Sequence, residues 1–533
     1  MPGPNILLLF SDQHRGDFLG AYGARWVHSP SLDDLAADGV LYTNAYTHVP
    51  VCVAARYGIL TGRRARETGF FSNWGPGLDP SIPTLPLLLS DAGYVTQAIG
   101  KMHWQPPRRH HGFDRMLLME ETPETREEDD YLLYLKSVGY GHIRHAHGVR
   151  HLLYHQPQRS LLPEEHQGTR WVAERVIEFL RAHRNRRWFL WAGWIAPHPP
   201  FNAADRWAEF YTGREVPDPI RSPQETLPER LVELRFLADI DPDNLPLIRR
   251  CRELYCAQIS FLDEQIGRIL DELDRLGLRN DTLVIYTSDH GELLGDHWGW
   301  QKQVAYEGSV RVPLVVRFPG GPAGERLSPF VDLLDIFPTI CDLAGIPLPG
   351  EYPGGSLRMV AEGTCTARDR TVQFFHFGHD WRRRFLGVRD ERYKLAYWVR
   401  DGFEEFYDLK NDPGELHNLR KEGMDGEASA AYRRLRRMLT AFERDHGPAG
   451  LEGGELPRRA SEGPVLQHNA QFPAWPHNLA DPEERARMNS VEEEILAAVK
   501  KEPPVKLSAL DLDAWVAAGG SAEFAREVRN KGL

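Results

Sequence analysis

From the N-terminus to about residue 370, short apolar runs alternate with longer amphipathic stretches. Asn5-Ile-Leu-Leu-Leu-Phe-Ser-Asp12 and Thr282-Leu-Val-Ile-Tyr-Thr-Ser-Asp289 are two such runs; Trp188–His198 is a third, and Tyr94–His103 a weaker fourth. Apolar runs of this length, bounded by polar residues, predict buried parallel strands. Ser31–Gly39 predicts a helix with Gly39 as its C-cap, and Val331–Ala344 predicts another. The expected fold class is therefore α/β over residues 1–370. From 371 to about 420 the pattern changes to strand-like pieces at Thr371–His376, Phe385–Arg389, Tyr393–Val399 and Glu405–Leu409, followed by turn chemistry in Asn411-Asp-Pro-Gly-Glu415. Residues 120–170, rich in His, Tyr, Glu and Arg, read as an insertion or lid. Beyond 450 the chain is Pro-, Glu- and Ala-rich, with short amphipathic stretches around Val491–Lys500 and Ala509–Ala518.

Open α/β sheets hold their ligands just outside the carboxyl ends of the strands. The four runs end on Asp12 and Gln13, Lys101 and His103, His198, and Asp289 and His290. Polar groups from four separate segments are thus aimed at one edge of one sheet. A further segment, Pro50-Val-Cys-Val-Ala-Ala-Arg-Tyr-Gly-Ile-Leu-Thr-Gly62, sets Cys52 and Arg56 one helical turn apart if a helix starts at the cysteine. Such a helix start offers unpaired N–H groups and the positive end of the macrodipole to an anion.

Bulk properties narrow the class. At 533 residues the chain exceeds what one core usually supports. A formal charge of -12 disfavours nonspecific binding to nucleic acid or a membrane surface, so an anionic substrate needs a local basic pocket. No run approaches a membrane span, and Ile6–Phe10 is too short for a signal h-region. The five cysteines (52, 251, 256, 341 and 365) are odd in number and scattered, which suits a reducing cytoplasm. Cys251 and Cys256 read as packing residues rather than zinc ligands.

The Cys52–Gly62 segment resembles the maturation motif of the type I, formylglycine-dependent sulfatases, in which Cys-x-Pro-x-Arg is oxidised at its cysteine to formylglycine (3-oxoalanine). Here Ala54 stands where the motif has proline and Ala55 where it has serine or threonine. The other strand-end segments follow the family's order over roughly residues 4–420, together with Leu294–Lys302, Tyr306–Pro313 and the Asp335–Ile346 segment. The resemblance implies an alkaline-phosphatase-like sheet sandwiched by helices (1–370), a smaller antiparallel subdomain with a helix (371–450), and a C-terminal extension (451–533). Long C-terminal arms in some relatives imply that Leu507, Leu510, Leu512 and Trp515 could pack across a homo-oligomer, or fold back on their own domain.

The resemblance also assigns roles. Asp12, Gln13, Asp289 and His290 match the metal ligands, with the formylglycine made from Cys52 also on the ion. A mostly oxygen set suits calcium or magnesium, and the imidazole leaves manganese open. His290 could instead be a hydrogen-bond donor outside the ligand set. The hydrated aldehyde is the nucleophile, with Asp289 and the metal as candidates to activate it. His103 matches the base for collapse of the hemiacetal, and His198 and Lys302 match the groups that protonate the leaving oxygen. Arg56 and Lys101 hold charge on the formylglycine and the sulfate. Asn73 matches a substrate-contacting asparagine of the phosphonate monoester hydrolase branch, and equally suits a turn. Arg108, Arg109, His110 and His111 form a basic patch that reads as a solvated loop.

The partners implied are a small-molecule sulfate ester and a formylglycine-generating maturase. Lys101 and His103 favour a sulfatase over the phosphonate monoester or phosphodiester hydrolases, in which uncharged hydroxyl residues replace that pair. An unmodified chain that only binds sulfated ligands is the third reading, supported by Ala54 and Ala55. Aryl, choline and sugar sulfates stay open.

Overall fold

The computed structural model describes residues 3–150, 154–231, 234, 240, 242–364, 371–448, 450–460 and 482–501. An eight-stranded sheet runs in the order Arg115–Leu118, Val95–Gly100, Trp188–Pro197, Asn5–Asp12, Thr282–Ser288, Leu314–Arg317, Val40–Tyr42, Glu325–Leu327. The first five strands are mutually parallel; Leu314–Arg317 is antiparallel to both of its neighbours. Asn5–Asp12 is central, in register Ile6↔Phe189 on one side and Asn5↔Thr282 on the other.

Ile6 to Phe10 are fully buried on a strand whose side chains alternate between faces. Ile6, Leu8 and Phe10 join a core with Val53, Ala54, Ala55 and Tyr57 of the helix Cys52–Thr61 and with the helix Ile336–Ala344. Leu7 and Leu9 join the opposite core, with Trp171, Val172 and Val176 of Gly168–His183 and Leu262, Ile266 and Ile269 of Leu245–Arg275. Each such side chain contributes about 1.5–3 kcal/mol of burial free energy. The uninterrupted apolar run therefore reflects a strand covered on both sides.

A second, four-stranded antiparallel sheet follows, with strands Gln373–Phe377, Phe385–Arg389, Tyr393–Trp398 and Phe403–Asp408. Phe375, Ala396, Trp398 and Tyr407 extend the main core. Leu386, Val388, Leu395 and Phe406 pack instead on Leu435, Leu439 and Phe442 of the helix Gly426–His446.

Two local expectations are corrected. The helix at 30–37 ends at Ala37 with Asp38 as a right-handed C-cap. Gly39 serves close approach instead: a Cβ there would lie 2.6 Å from the Val316 carbonyl oxygen. Val331–Ala344 is not one helix. Val331–Asp332 pairs as a strand with Ala45–Tyr46, Asp332 accepts from the Leu334 N–H, and the α-helix begins only at Ile336. The 120–170 region holds the helix Asp130–Ser137, capped by Asp129, and no strand among its described residues.

In the C-terminal extension, Pro482–Lys501 is a helix whose Glu484 pairs with Arg126 at 3.0 Å and whose Met488 is buried in the opposite core, with Leu7 and Leu9. This part folds back on its own chain. Leu507, Leu510, Leu512 and Trp515 lie outside the described residues, as does Ala509–Ala518. No helix among the described residues is long and apolar enough to cross a membrane.

Candidate active site

The helix predicted from Cys52 begins at Cys52 and ends at Thr61, with Gly62 in the left-handed region (φ 66°) as its C-cap. Its ten residues are all buried, so Cys52 and Arg56 share a face turned to the strand ends. Ala54 is the third helical residue, inside the first turn where proline is tolerated, so alanine leaves the backbone path unchanged. Val51 offers no side-chain cap; Asn73 supplies one from the following loop, its Oδ1 accepting from the Val53 N–H at 3.1 Å. One of the helix-start N–H groups expected to face an anion is thereby satisfied within the chain.

Cys52 Sγ lies 3.1 Å from His290 Nε2 and 3.6 Å from Asp12 Oδ1. Donor atoms of Asp12, Cys52, Asp289 and His290 all lie within 4.8 Å of one another, and all four residues are buried. His290 Nδ1 faces the Gly291 carbonyl at 3.0 Å, which leaves the Nε2 lone pair turned to the cluster. Two carboxylates, an imidazole nitrogen and the Cys52 position make a donor set that fits a divalent cation. Gln13 stands at the same strand end with φ 65°, its N–H on Asp289 Oδ1 at 3.0 Å. Its amide oxygen accepts from Lys302 and its amide nitrogen donates to Glu292.

Cations close the cluster. The Arg56 guanidinium reaches Asp289 Oδ2 at 3.1 Å, Asp12 Oδ2 at 3.0 Å and the Lys101 carbonyl at 2.7 Å. Lys101 Nζ lies 2.6 Å from Asp12 Oδ2 and 2.9 Å from Glu121 Oε2. Burial disfavours ionisation of Asp12, but Lys101, His198 and Arg56 outweigh it and hold this carboxyl well below its ordinary range. Burial and then the Asp12 carboxylate push Asp289 above the ordinary carboxylate range. The Cys52 thiol is pushed upward by burial and then by Asp12.

Opposite stand His198 and Lys302, with Lys302 Nζ 2.9 Å from His198 Nε2. His198 lies beyond the strand Trp188–Pro197 between Pro197 and Pro199. His103 is in the left-handed region (φ 60°), its N–H held by Glu120 Oε1 at 2.8 Å and its buried Nδ1 without a partner. Burial and then Lys101 lower its pKa to about 3. Every strand-end residue read from the sequence thus lies at one sheet edge. Asn73 acts as the helix cap, and the 108–111 patch lies apart: Arg108 pairs with Asp130 and His111 packs on Tyr57 and Trp104.

Sequence reasoning missed Glu120, Glu121, Glu292, Arg150 and Tyr154. The two glutamates at 120 and 121 follow Arg115–Leu118, a fifth parallel strand, so the strand-end rule applied once more would have found them.

The sequence profile of the sulfatase family ("Sulfatase") matches residues 4–346. This chain belongs to the sulfatase family. A second profile, "N-sulphoglucosamine sulphohydrolase, C-terminal", matches residues 295–444. The sulfatase is similar to an arylsulfatase of Clostridium perfringens, 32% identical over 439 residues that cover 78% of this chain and 90% of that enzyme. It is also similar to a choline-sulfatase of Rhizobium meliloti, 29% identical and covering 94% and 98% of the two chains. Among solved structures, the phosphonate monoester hydrolase of Agrobacterium radiobacter superposes with a TM-score of 0.73 at 28% identity, covering 83% of this chain and 96% of that one. The fold is the alkaline-phosphatase-like one, and the sulfatase is a sulfuric ester hydrolase.

Proposed function

We propose that this sulfatase hydrolyses a sulfate monoester at Cys52, after oxidation of that cysteine to formylglycine by a maturase. The observation that carries the reading is the Cys52 side chain standing among Asp12, Asp289 and His290, with the ammonium groups of Lys101 and Lys302 and the Arg56 guanidinium around it. Buried cations converging on one point suit a dianionic leaving fragment. Formylglycine, as its hydrate, would supply a hydroxyl nucleophile and a second hydroxyl whose deprotonation releases sulfate. Asp12, Asp289, His290 and the Cys52 position, with Gln13 beside them, would hold a divalent ion that lowers the pKa of that nucleophile. Calcium suits the oxygen-rich set, with magnesium or manganese as alternatives.

Within the chain, Arg56 neutralises both carboxylates and orients them, Lys101 and Lys302 offer N–H donors to sulfate oxygens, and His198 with Lys302 delivers a proton to the leaving oxygen. His103, with a free ring nitrogen, is the base for releasing sulfate. The four described cysteines are free thiols, in keeping with a reducing cytoplasm.

The test is a peptide mass spectrum across Cys52 and a rate comparison on the same preparation. Conversion exchanges sulfur and two hydrogens for one oxygen, and kcat/KM should be higher for an aryl sulfate than for a matched phosphonate monoester. An active preparation with wholly unmodified Cys52 rejects the mechanism. The likeness to a phosphonate monoester hydrolase supports a second reading, which a clear phosphonate preference would establish.

A further inference from the structure

Glu121 is a buried carboxylate ringed by bases. Its Oε2 lies 2.9 Å from Lys101 Nζ, and its Oε1 lies 2.9 Å from His198 Nδ1 and 3.0 Å from Arg150 Nη1. His198 Nδ1 also faces the Pro199 carbonyl at 2.6 Å. Both neighbours of Nδ1 are acceptors, so Nδ1 carries the proton. Nε2 then holds the lone pair, and it faces the Lys302 ammonium at 2.9 Å and the Tyr154 hydroxyl at 3.4 Å. Glu121 is the only one of these partners that is both charged and bonded to two of the proposed sulfate-handling bases, Lys101 and His198.

We propose that Glu121 is a positioning residue for leaving-group protonation: it locks the His198 tautomer and ring so that Nε2 and Lys302 Nζ jointly hold the proton given to the departing oxygen. As the attacking hydroxyl proposed at position 52 forms its bond to sulfur, the bond from sulfur to the departing oxygen breaks; its electron pair stays on that oxygen, which takes one proton from the Nζ–Nε2 pair. The pair is left one proton short and regains it from water before the next turnover. Without the carboxylate, the Pro199 carbonyl is the remaining acceptor at Nδ1, and the ring loses the charged anchor that fixes its orientation towards Lys302. The inference rests on the sulfate-ester reading, but any ester with the same departing alcohol makes the same demand.

The test is a series of aryl sulfates with phenols of graded acidity, run on wild type, Glu121→Gln, Glu121→Asp, His198→Ala and Glu121→Gln/His198→Ala. Glu121→Asp keeps the charge near Lys101 and Arg150 but is one methylene too short for Nδ1, and it guards against misfolding of the amide variant. Bound metal and thermal unfolding are measured on each. Both Glu121 variants should lose about 10–100-fold in kcat on the poorest leaving groups and much less on the best. Adding Glu121→Gln to His198→Ala should steepen the leaving-group dependence no further. Equal loss across the series, or a further steepening in the double variant, overturns the proposal. If the wild type prefers phosphonate monoesters, the sulfate reading fails by itself, and the same phenol series on phosphonates still decides the role of Glu121.

Discussion

Replacing Lys101 by Met keeps the side-chain length and removes one ammonium from between two buried carboxylates. Lys101 Nζ lies 2.6 Å from Asp12 and 2.9 Å from Glu121, and neither lysine nor Asp12 is exposed. Removing one partner of a buried ion pair costs about 3–5 kcal/mol, because the remaining charge is left without compensation in a low-dielectric site. Arg56 still reaches Asp12 at 3.0 Å and Arg150 still reaches Glu121 at 3.0 Å, which argues for the lower half of that range in stability. The proposed sulfate site, by contrast, loses one of its two ammonium donors and keeps only Lys302. At about 1.4 kcal/mol per decade, kcat/KM should fall roughly 10²–10⁴-fold. The assay is turnover of 4-nitrophenyl sulfate, normalised to the fraction of Cys52 converted and to bound metal, because Lys101 lies outside the maturation segment and conversion should persist. A Lys101→Met variant with normal conversion and turnover within about tenfold of wild type would refute the argument that this ammonium stabilises the transferring sulfate.

Asp289→Ala removes both a proposed metal ligand and an Arg56 partner, so metal content and activity should fall together, activity by several orders of magnitude; retained metal with near-normal turnover rejects the ligand assignment. Two buried histidines, His48 and His155, and the half-buried His111 make the fold acid-sensitive. Burial lowers His48 to about 3 (with Arg64), His111 to about 4 (with Arg109) and His155 to about 3 (with His198 and Lys302) from an ordinary 6.5. The unfolded chain therefore binds more protons, and stability is lost as pH falls from about 6.5 towards 4; denaturant midpoints that stay flat between pH 7 and 4.5 would contradict this. Asn73→Ala should weaken the start of the Cys52–Thr61 helix by about 0.5–2 kcal/mol, read as faster amide exchange at Val53, whereas an effect on KM alone would return Asn73 to the substrate. Deleting residues 502–533 should lower the molar mass seen by light scattering if that segment joins subunits, while a full-length monomer at micromolar concentration rejects the arm.

Much of this site was legible because two periodicities are strong. A strand buried on both faces must be apolar throughout, so Ile6–Phe10 and Leu283–Thr287 announce themselves, and the residues that follow them fall at the carboxyl edge. The Cys52–Gly62 helix was equally plain, since its end is marked by a glycine with positive φ. Gly39 and Val331–Ala344 were misread because their conformations answer to contacts remote in sequence: a carbonyl at Val316 in one case, pairing with Ala45–Tyr46 in the other.

The chain by itself thus determined the sheet, its polar edge and the residue types gathered there, because those follow from local alternation of apolar and polar positions. Only the tertiary structure decided which atoms meet. That Arg56 divides itself between Asp12 and Asp289, that Gln13 turns to Lys302 and Glu292, and that Glu121 joins Lys101 to His198 depends on strands ordered 115, 95, 188, 5, 282. Strand order brings together residues as far apart as Gln13 and Lys302, 289 positions from each other, and side-chain pairing over such distances leaves no periodic trace in the sequence.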